Sequence, residues 1–495
     1  MLSTEQFKKD TFSALNNPQL RGNFKRAMSG LMQKRLAVFS DDQEFHKLRE
    51  IGHSTRANAL RKLPDLLQQL ESNCSKNGIQ VYWAETVDQA NQLVLEIAQR
   101  HNAKSMVKGK SMVSEEMELN HFLEQHGIEA LEADLGEYII QVDHELPSHI
   151  IMPAIHKNKE QIAQMFHQKV EPSVFVESAE EMTAIARKVL RRKFYQADIG
   201  VSGVNFAVAE TGTLCLVENE GNGRFCTTLP PVHVALMGIE KVVELLEDVP
   251  PLLSLLTRSA TGQAITTYFN MITSPRKVGE KDGPKNVYLI MLDNGRTQMY
   301  SDQLLRETLL CIRCGACMNH CPVYTRIGGH AYSTTYPGPI GKILTPQMKG
   351  LHKAGYLADA SSLCGACVEV CPVKIPITEI LLHLRHQKEE NKGNFPLTSP
   401  KNWKVGASDL VWKGWETVFS NPKIYKLKSL GIAKLGNFTP RWMPVLRNWT
   451  SVRSTPVFAK KNLHQLAREE GLSYDCLLYT SAAADEEDSV DLGGR

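Results

Sequence analysis

The sequence predicts an α/β domain, then a cysteine-bearing helical domain, then a C-terminal helical segment. Three observations carry this. From about residue 71 to 290, short apolar runs of strand character alternate with amphipathic helical stretches. Seven of the eleven cysteines fall between Cys311 and Cys371. Five of the six tryptophans, Trp403, Trp412, Trp415, Trp442 and Trp449, lie in a basic stretch after residue 391. A chain of 495 residues, at about 150 per domain, agrees with roughly three units.

Residues 1–70 form an N-terminal helical region. Phe7, Phe12 and Leu15, then Leu48, Ile51 and Leu60, recur at roughly helical spacing among many charges. In the α/β domain, residues 71–290, strands are expected at Ile79–Trp83, Tyr138–Val142, His149–Met152 and Asn205–Ala209. Helices are expected at Thr86–Gln99, Ser114–His126 and Ser178–Phe194. Residues 295–390 hold the cysteine motifs. Asp302 can cap a helix that carries Leu305 and Leu309 into Cys311. Pro376 opens a helix with Ile377, Ile380, Leu381 and Leu384 on one face.

Residues 391–475 are a basic, Trp-rich region. Between Lys401 and Thr450, nine Lys and Arg face two acidic residues. Trp and Arg favour docking of a protein partner. A second reading is peripheral contact with anionic lipid. The plain alternative is internal packing of the Trp with solvated lysines. The stretch 476–495, CLLYTSAAADEEDSVDLGGR, back-translates readily to sequencing-adapter fragments. It is expected to be a non-native tail, and it is set aside with Cys476.

Composition narrows the class. Hydrophobic residues make up 42% and charged residues 22%, as in a globular protein with a real core. A net charge of +3 is too small for a dedicated nucleic-acid binder. No apolar run approaches the ~18 residues of a membrane helix. The start, MLSTEQFKKDTF, has no apolar h-region, so the expected compartment is the cytoplasm. Thiols stay reduced there, and clustered thiols then point to metal rather than disulfides.

The first motif is Cys311-Ile-Arg-Cys314-Gly-Ala-Cys317-Met-Asn-His-Cys321-Pro322, the C-x2-C-x2-C-x3-C-P run of bacterial ferredoxins. Two-residue gaps wrap the backbone around a cubane, so that three thiolates reach three irons. The second motif, Ser361-Ser-Leu-Cys364-Gly-Ala-Cys367-Val-Glu-Val-Cys371-Pro372, keeps the register but has Ser361 at its first position. In two-cluster proteins the fourth Cys of a run ligates the other cluster. Cluster one is therefore expected on Cys311, Cys314, Cys317 and Cys371, and cluster two on Cys321, Cys364 and Cys367. The cofactors expected are two [4Fe-4S] clusters, the second a ligand short and prone to become [3Fe-4S]. The motifs are far apart for a minimal ferredoxin, with 42 residues between Cys321 and Cys364. With helices flanking them, they resemble the helical ferredoxin module of succinate dehydrogenase iron–sulfur subunits.

No C-x-x-C-H, no G-x-x-x-x-G-K-[ST] and no G-x-G-x-x-G is present. Gly221-Asn-Gly223 is half a dinucleotide fingerprint, but Cys226 stands at the third glycine's place. No flavin or nicotinamide site is therefore expected. Glu210, Gly212, Glu218, Glu220, Gly223 and Arg224 form a polar, glycine-rich stretch. Such a turn could hold an anion or place a nucleophilic Glu. Arg224 and Lys110, the latter in Lys108-Gly-Lys110-Ser111, are candidates for a substrate carboxylate. The plain alternative is a hairpin with solvated charges. Cys215 and Cys226 suit small buried hydrophobes, and His233 and His320 suit structural roles. No catalytic residue is assigned.

CIRCGACMNHCPVY (Cys311–Tyr324), GGHAYSTTYPGPIG (Gly328–Gly341), LCGACVEVCPVKIP (Leu363–Pro376) and VSGVNFAVAETGTLCLVENEGNGR (Val201–Arg224) together resemble the lactate utilization protein B family. That family is the iron–sulfur component of a three-protein L-lactate oxidation system. The resemblance reaches to about residue 473. It implies a lactate-utilisation domain of isomerase and CoA-transferase-like fold ahead of the cluster domain. It also implies an electron-transfer subunit of an oxidoreductase complex, acting with the A and C components during oxidation of L-lactate to pyruvate. The electron acceptor is left open, and the isolated chain is not expected to oxidise lactate. The rival readings are a glycolate-type or heterodisulfide-type oxidoreductase subunit, an α/β domain that itself binds the hydroxy acid, and a redox-silent scaffold.

Overall fold

The computed structural model describes residues 3–109, 111–391, 407–438 and 457–471. The chain divides into two compact units, Met1–Phe395 and Pro396–Arg495. The first unit opens with four helices: α1 (Thr4–Leu15), α2 (Pro18–Val38), α3 (Asp42–Arg61) and α4 (Leu63–Lys76). The first three start on side chains that accept free N–H groups: Ser3 from Gln6, Asn17 from Leu20, and Asp41 from Gln43 and Glu44. The helices stand where the spacing predicts them, but their inward faces differ. Phe12 and Ile51 are exposed, whereas Phe24, Met28, Phe45 and Leu60 enter the core. The stripe turned inward on α2 and α3 also carries Arg35, Arg49 and Arg56, charges that a hydrophobicity reading assigns to solvent.

Ten strands follow: β1 (Gln80–Ala84), β2 (Ser105–Lys108), β3 (Glu129–Glu132), β4 (Ile199–Gly203), β5 (Phe206–Val208), β6 (Thr213–Glu218), β7 (Val232–Gly238), β8 (Val242–Val243), β9 (Tyr268–Ile272) and β10 (Asn286–Leu292). Six form a parallel sheet in the order β1-β10-β7-β4-β2-β3. β7 is buried along its whole length and β10 nearly so, as expected of strands covered on both faces. The helices Val87–Arg100 and Ala179–Gln196 match expectation. A smaller mixed sheet has the order β8-β5-β6-β9.

Two expected strands are not strands. Tyr138–Val142 lies in a helix, Leu135–Val142, capped by Asp134, whose carboxylate accepts from the Gly136 and Glu137 N–H groups. A short apolar run has no period of its own, and here the cap decides. His149–Met152 is irregular. The His149 ring holds its own turn, with Nδ1 accepting from the N–H of Ile151 at 2.9 Å, while Nε2 meets Asn319 Oδ1 at 3.1 Å. The expected helix Ser114–His126 is two short helices, Met112–Glu116 and Leu119–Gln125, broken where Glu118 takes φ 50°.

The cysteine region is helical. The carboxylate of Asp302 accepts from the N–H groups of Leu304 and Leu305 and opens a 3-10 helix, Leu305–Leu310, that ends at Cys311. Ile377–Asn391 buries Ile377, Ile380, Leu381 and Leu384. One continuous core joins residues of α1–α4, the small sheet and the cysteine region.

The second unit contains the helices Ala407–Phe419, Pro422–Leu435 and Leu463–Glu469. Trp415 is half exposed and stacks on Phe419. Trp403, Trp442, Trp449, Lys110 and the stretch 476–495 lie outside the described residues. Among the described residues no helix is long and apolar enough to cross a membrane.

Candidate iron–sulfur site

The two cysteine motifs follow one backbone path. Arg313 and Leu363 each stand two residues after the first position and adopt left-handed φ of 61° and 53°. Gly315 and Gly365 follow at 86° and 80°. Each motif then makes a short helix, Ala316–Asn319 or Ala366–Glu369, and reaches Cys321 or Cys371. Hydrogen bonding repeats as well. The Arg313 N–H donates to Cys311 Sγ at 3.4 Å, and the Leu363 N–H donates to Ser361 Oγ at 3.2 Å. Ser361 therefore occupies in the second motif the place of Cys311 in the first. Left-handed backbone at Arg and Leu is strained. Two-residue gaps impose it, because three side chains of one turn must face the same way.

Cys311, Cys314, Cys317 and Cys371 line one apolar pocket with Ile150, Ile312, Ile340, Val373, Ile375 and Ile377. Cys321 and Cys364 are the thiols that act most on Cys367, and these three make a second group. Cys317 feels thiols of both groups, Cys367 and Cys371 included. Cys314, Cys321, Cys367 and Cys371 are buried, Cys311 and Cys317 half-buried, and Cys364 exposed. Among the described residues no three or more His, Cys, Asp or Glu side chains close on a point as ligands of a single ion do.

Burial pushes Cys367 and Cys371 up to about 11. It drives Cys317 well above the usual thiol range, and the neighbouring thiols add to this. Such thiols keep their protons until a cation takes the proton's place, which is what iron does. The surroundings fit an anionic cluster. Arg35 is 6% exposed, yet its Nε and Nη2 have no acceptor among the described residues, and Cys314 is the group that most favours its charge. A buried guanidinium with idle donors suits sulfide and thiolate acceptors. On the other group, Lys342 is 1% exposed with Nζ 3.6 Å from Cys321 Sγ.

A buried charge ladder leads from the first pocket into the α/β domain. Arg313 stacks on Tyr336 and reaches Glu240 Oε1 at 3.3 Å. Arg296, fully buried, bonds Glu240 Oε2 at 2.5 Å and Glu116 Oε1 at 2.7 Å. Burial opposes the Glu240 charge, but Arg296, Arg313 and Lys241 prevail and hold it at about 2. The sequence reading names only Arg313 of this ladder, and only as a spacer in the motif. Glu116 and Glu240 carry no local signal, because their partners lie far along the chain.

At the carboxyl ends of β2 and β3 lies a cavity of about 870 Å³. Glu115, Glu116, Glu118, Glu132 and Glu137 line it. Lys108, at the end of β2, is 2% exposed and pairs with Glu115 and Glu132 at 2.6 Å. A parallel sheet favours ligands at this edge, and three of these carboxylates already hold cations: Glu115 and Glu132 hold Lys108, and Glu116 holds Arg296.

The polar stretch after β6 has an internal use. Glu218 accepts from the N–H groups of Gly223 and Arg224 at 2.6 Å each and from Asn270 Nδ2 at 2.9 Å. The chain's own carboxylate thus fills the start of the helix Asn222–Thr228, one of the places where an anion could have bound. Arg224 lies over the Tyr268 ring. His233 Nε2 meets Ser202 Oγ at 2.8 Å, and His320 Nδ1 meets the Ala316 carbonyl at 3.0 Å. Cys215 and Cys226 are fully buried.

Comparison with known families agrees with this layout. A LUD domain model matches residues 67–292, a 4Fe-4S dicluster domain model matches 307–375, and a model of the C-terminal part of lactate utilisation protein B matches 383–472. A lactate utilization protein B of Bacillus cytotoxicus is 40% identical over 476 residues, covering 94% of this chain and 98% of the relative. One of Bacillus subtilis is 39% identical over 488 residues, covering 95% and 99%. A crystal structure of a DUF162 family protein from Deinococcus radiodurans aligns with 46% of this chain and 98% of its own, at 13% identity and a TM-score of 0.28. With a LUD domain, a dicluster segment and near-complete alignment to such relatives, the chain belongs to the lactate utilization protein B family.

Proposed function

We propose that this chain is an electron carrier in the oxidation of L-lactate to pyruvate. It takes electrons from an oxidation site on another component and passes them through two clusters to an acceptor. Its place in lactate utilisation, with iron–sulfur electron transfer, follows from the family and the dicluster domain. The finer reading rests chiefly on one observation: Cys371, from the second motif, lines the pocket of Cys311, Cys314 and Cys317 from the first. We assign cluster one to those four and cluster two to Cys321, Cys364 and Cys367. Bound clusters supply one-electron relay.

The protein's own residues do the rest. The apolar wall of Ile150, Ile312, Ile340 and Ile377 keeps water from cluster one. Cys317 feels thiols of both groups, which supports neighbouring clusters. Cys364, the exposed member, gives cluster two an open edge for exchange with a partner. The A and C components of the lactate system are the partners proposed, and the cytoplasm the compartment.

The test is anaerobic purification with iron and sulfide counting and EPR. Wild type is expected to hold seven or eight irons (two clusters, one prone to lose a corner). Cys371→Ser, though in the second motif, is expected to damage cluster one and spare cluster two. Loss of cluster two with cluster one intact would overturn the assignment.

A further inference from the structure

Two arginines of α3 hold backbone carbonyls around the first cysteine pocket, and Arg35 of α2, a helix packed on the motif helix Ala316–Asn319, shares the Phe45 ring with one of them, Arg49. Arg49 on α3 is 9% exposed and donates from Nε to the carbonyl of Cys371 at 2.9 Å and from Nη2 to that of Val368 at 2.9 Å. Arg56, two turns later, is 2% exposed and donates to the carbonyls of Val242 at 2.9 Å, Leu309 at 3.1 Å and Glu240. Gly52 lies on the same stripe. A Cβ there would fall 2.4 Å from Leu255 Cδ1 and 3.3 Å from the Pro372 carbonyl, so α3 is pressed onto the Cys371–Pro372 turn. Arg35, on α2, differs from both. Among the described residues it makes no hydrogen bond from Nε or Nη2, and it rests on the rings of Phe39 and Phe45, 5.2 and 4.7 Å from their centroids.

Arg49 and Arg56 have backbone carbonyls to hold, so structure alone accounts for them. Arg35 holds nothing among the described residues through those two donors. Burying a guanidinium is costly without a counter-charge, and among the described acidic groups the one that most favours its charge is Cys314. A four-thiolate [4Fe-4S] centre bears net negative charge, gains another on reduction, and sits here in an apolar wall where charges are little screened. A fixed cation beside it favours the reduced state.

We propose that α2 and α3 form an electrostatic lid over cluster one, in which the Arg35 guanidinium raises that cluster's reduction potential and leaves cluster two nearly untouched. The proposal rests on the ligand sets assigned above. Arg35 is a positioning residue in this scheme: it sets the energy of the electron without meeting a substrate. The second group has its own cation, Lys342, on the helix Gly338–Lys349, so the two potentials are set by separate elements.

The test is an EPR-monitored redox titration of the full-length, iron-loaded protein and three variants. Arg35→Met keeps the apolar stem without charge, Arg35→Gln keeps donors without charge, and Arg35→Lys keeps charge. Both neutral variants are expected to make reduction of cluster one about tenfold less favourable, a fall of ~59 mV for one electron. Arg35→Lys should restore most of this, and cluster two's midpoint should stay within a small fraction of that shift. Full iron content with an unchanged cluster-one midpoint in Arg35→Met overturns the proposal. So does a wild-type midpoint in Arg35→Gln, which would assign the effect to hydrogen bonding. Loss of iron from both neutral variants but not from Arg35→Lys would assign the charge to cluster retention and also overturn it. A wild-type protein that loads no cluster would instead sink the electron-carrier reading on which this one stands.

Discussion

At Ser361 the chain keeps the geometry of a ligand position with a different atom. Its Oγ accepts the Leu363 N–H as Cys311 Sγ accepts that of Arg313. A hydroxyl is a harder and poorer donor to such iron than a thiolate. On the proposed ligand sets, Ser361→Cys is expected to suppress the three-iron EPR signal that cluster two develops in air; an equal signal in both proteins would count against a ligand role for this position. His233 offers a separate check on the fold. Burial pulls its imidazole from 6.5 down to about 4. The unfolded chain therefore takes up a proton below pH 6.5 that the folded chain refuses until about pH 4. Its contribution is full above pH 6.5 and is lost as pH falls towards 4, by up to about 3 kcal/mol. Denaturant melts of wild type and His233→Gln across that window should show a shallower slope in the variant.

Among the elements, α3 ties distant parts of the chain together. Its stripe of Arg49, Gly52 and Arg56 meets the Cys371–Pro372 turn, the end of the Leu305–Leu310 helix and β8. Helical spacing made the helix legible from residues alone. Its face was not, because an inward arginine has meaning only once the cysteine pocket is opposite it. Gly52→Val is expected to cost about 1–3 kcal/mol by overpacking and to speed loss of iron, since the turn that carries Cys371 must shift. A thermal melt paired with an iron-release time course would check both. The paired cysteine runs behaved in the opposite way. Their two-residue gaps dictate the left-handed residues, the short helices and the repeat of one motif by the other, so their local form was written in the spacing.

Taken as a whole molecule, the first unit joins the α/β sheet, the N-terminal helices and the cysteine region in one core. The basic C-terminal helices belong to the second. A chain ending at Phe395 is therefore expected to load the same iron as the full chain and to keep both EPR signatures. If it collects no iron, the division into units does not describe how the protein folds. Cys364 is exposed in the first unit, whereas Cys314, Cys321, Cys367 and Cys371 are buried.

What the sequence determined by itself was whatever local spacing dictates: the α/β alternation, the capped helices, the cysteine runs and the iron–sulfur chemistry they specify. The short apolar runs at 138–142 and 149–152 misled it, because a few apolar residues carry no period and a cap or a histidine turn settles them. Only the tertiary structure decided what distant residues do for one another. It set Glu218 inside its own helix start, put carboxylates around the cavity, strung the Glu116–Arg296–Glu240–Arg313 ladder and buried Arg35 on the rings of Phe39 and Phe45. The physical reason is that a charge takes its role from its partner, and those partners stand tens to hundreds of residues away.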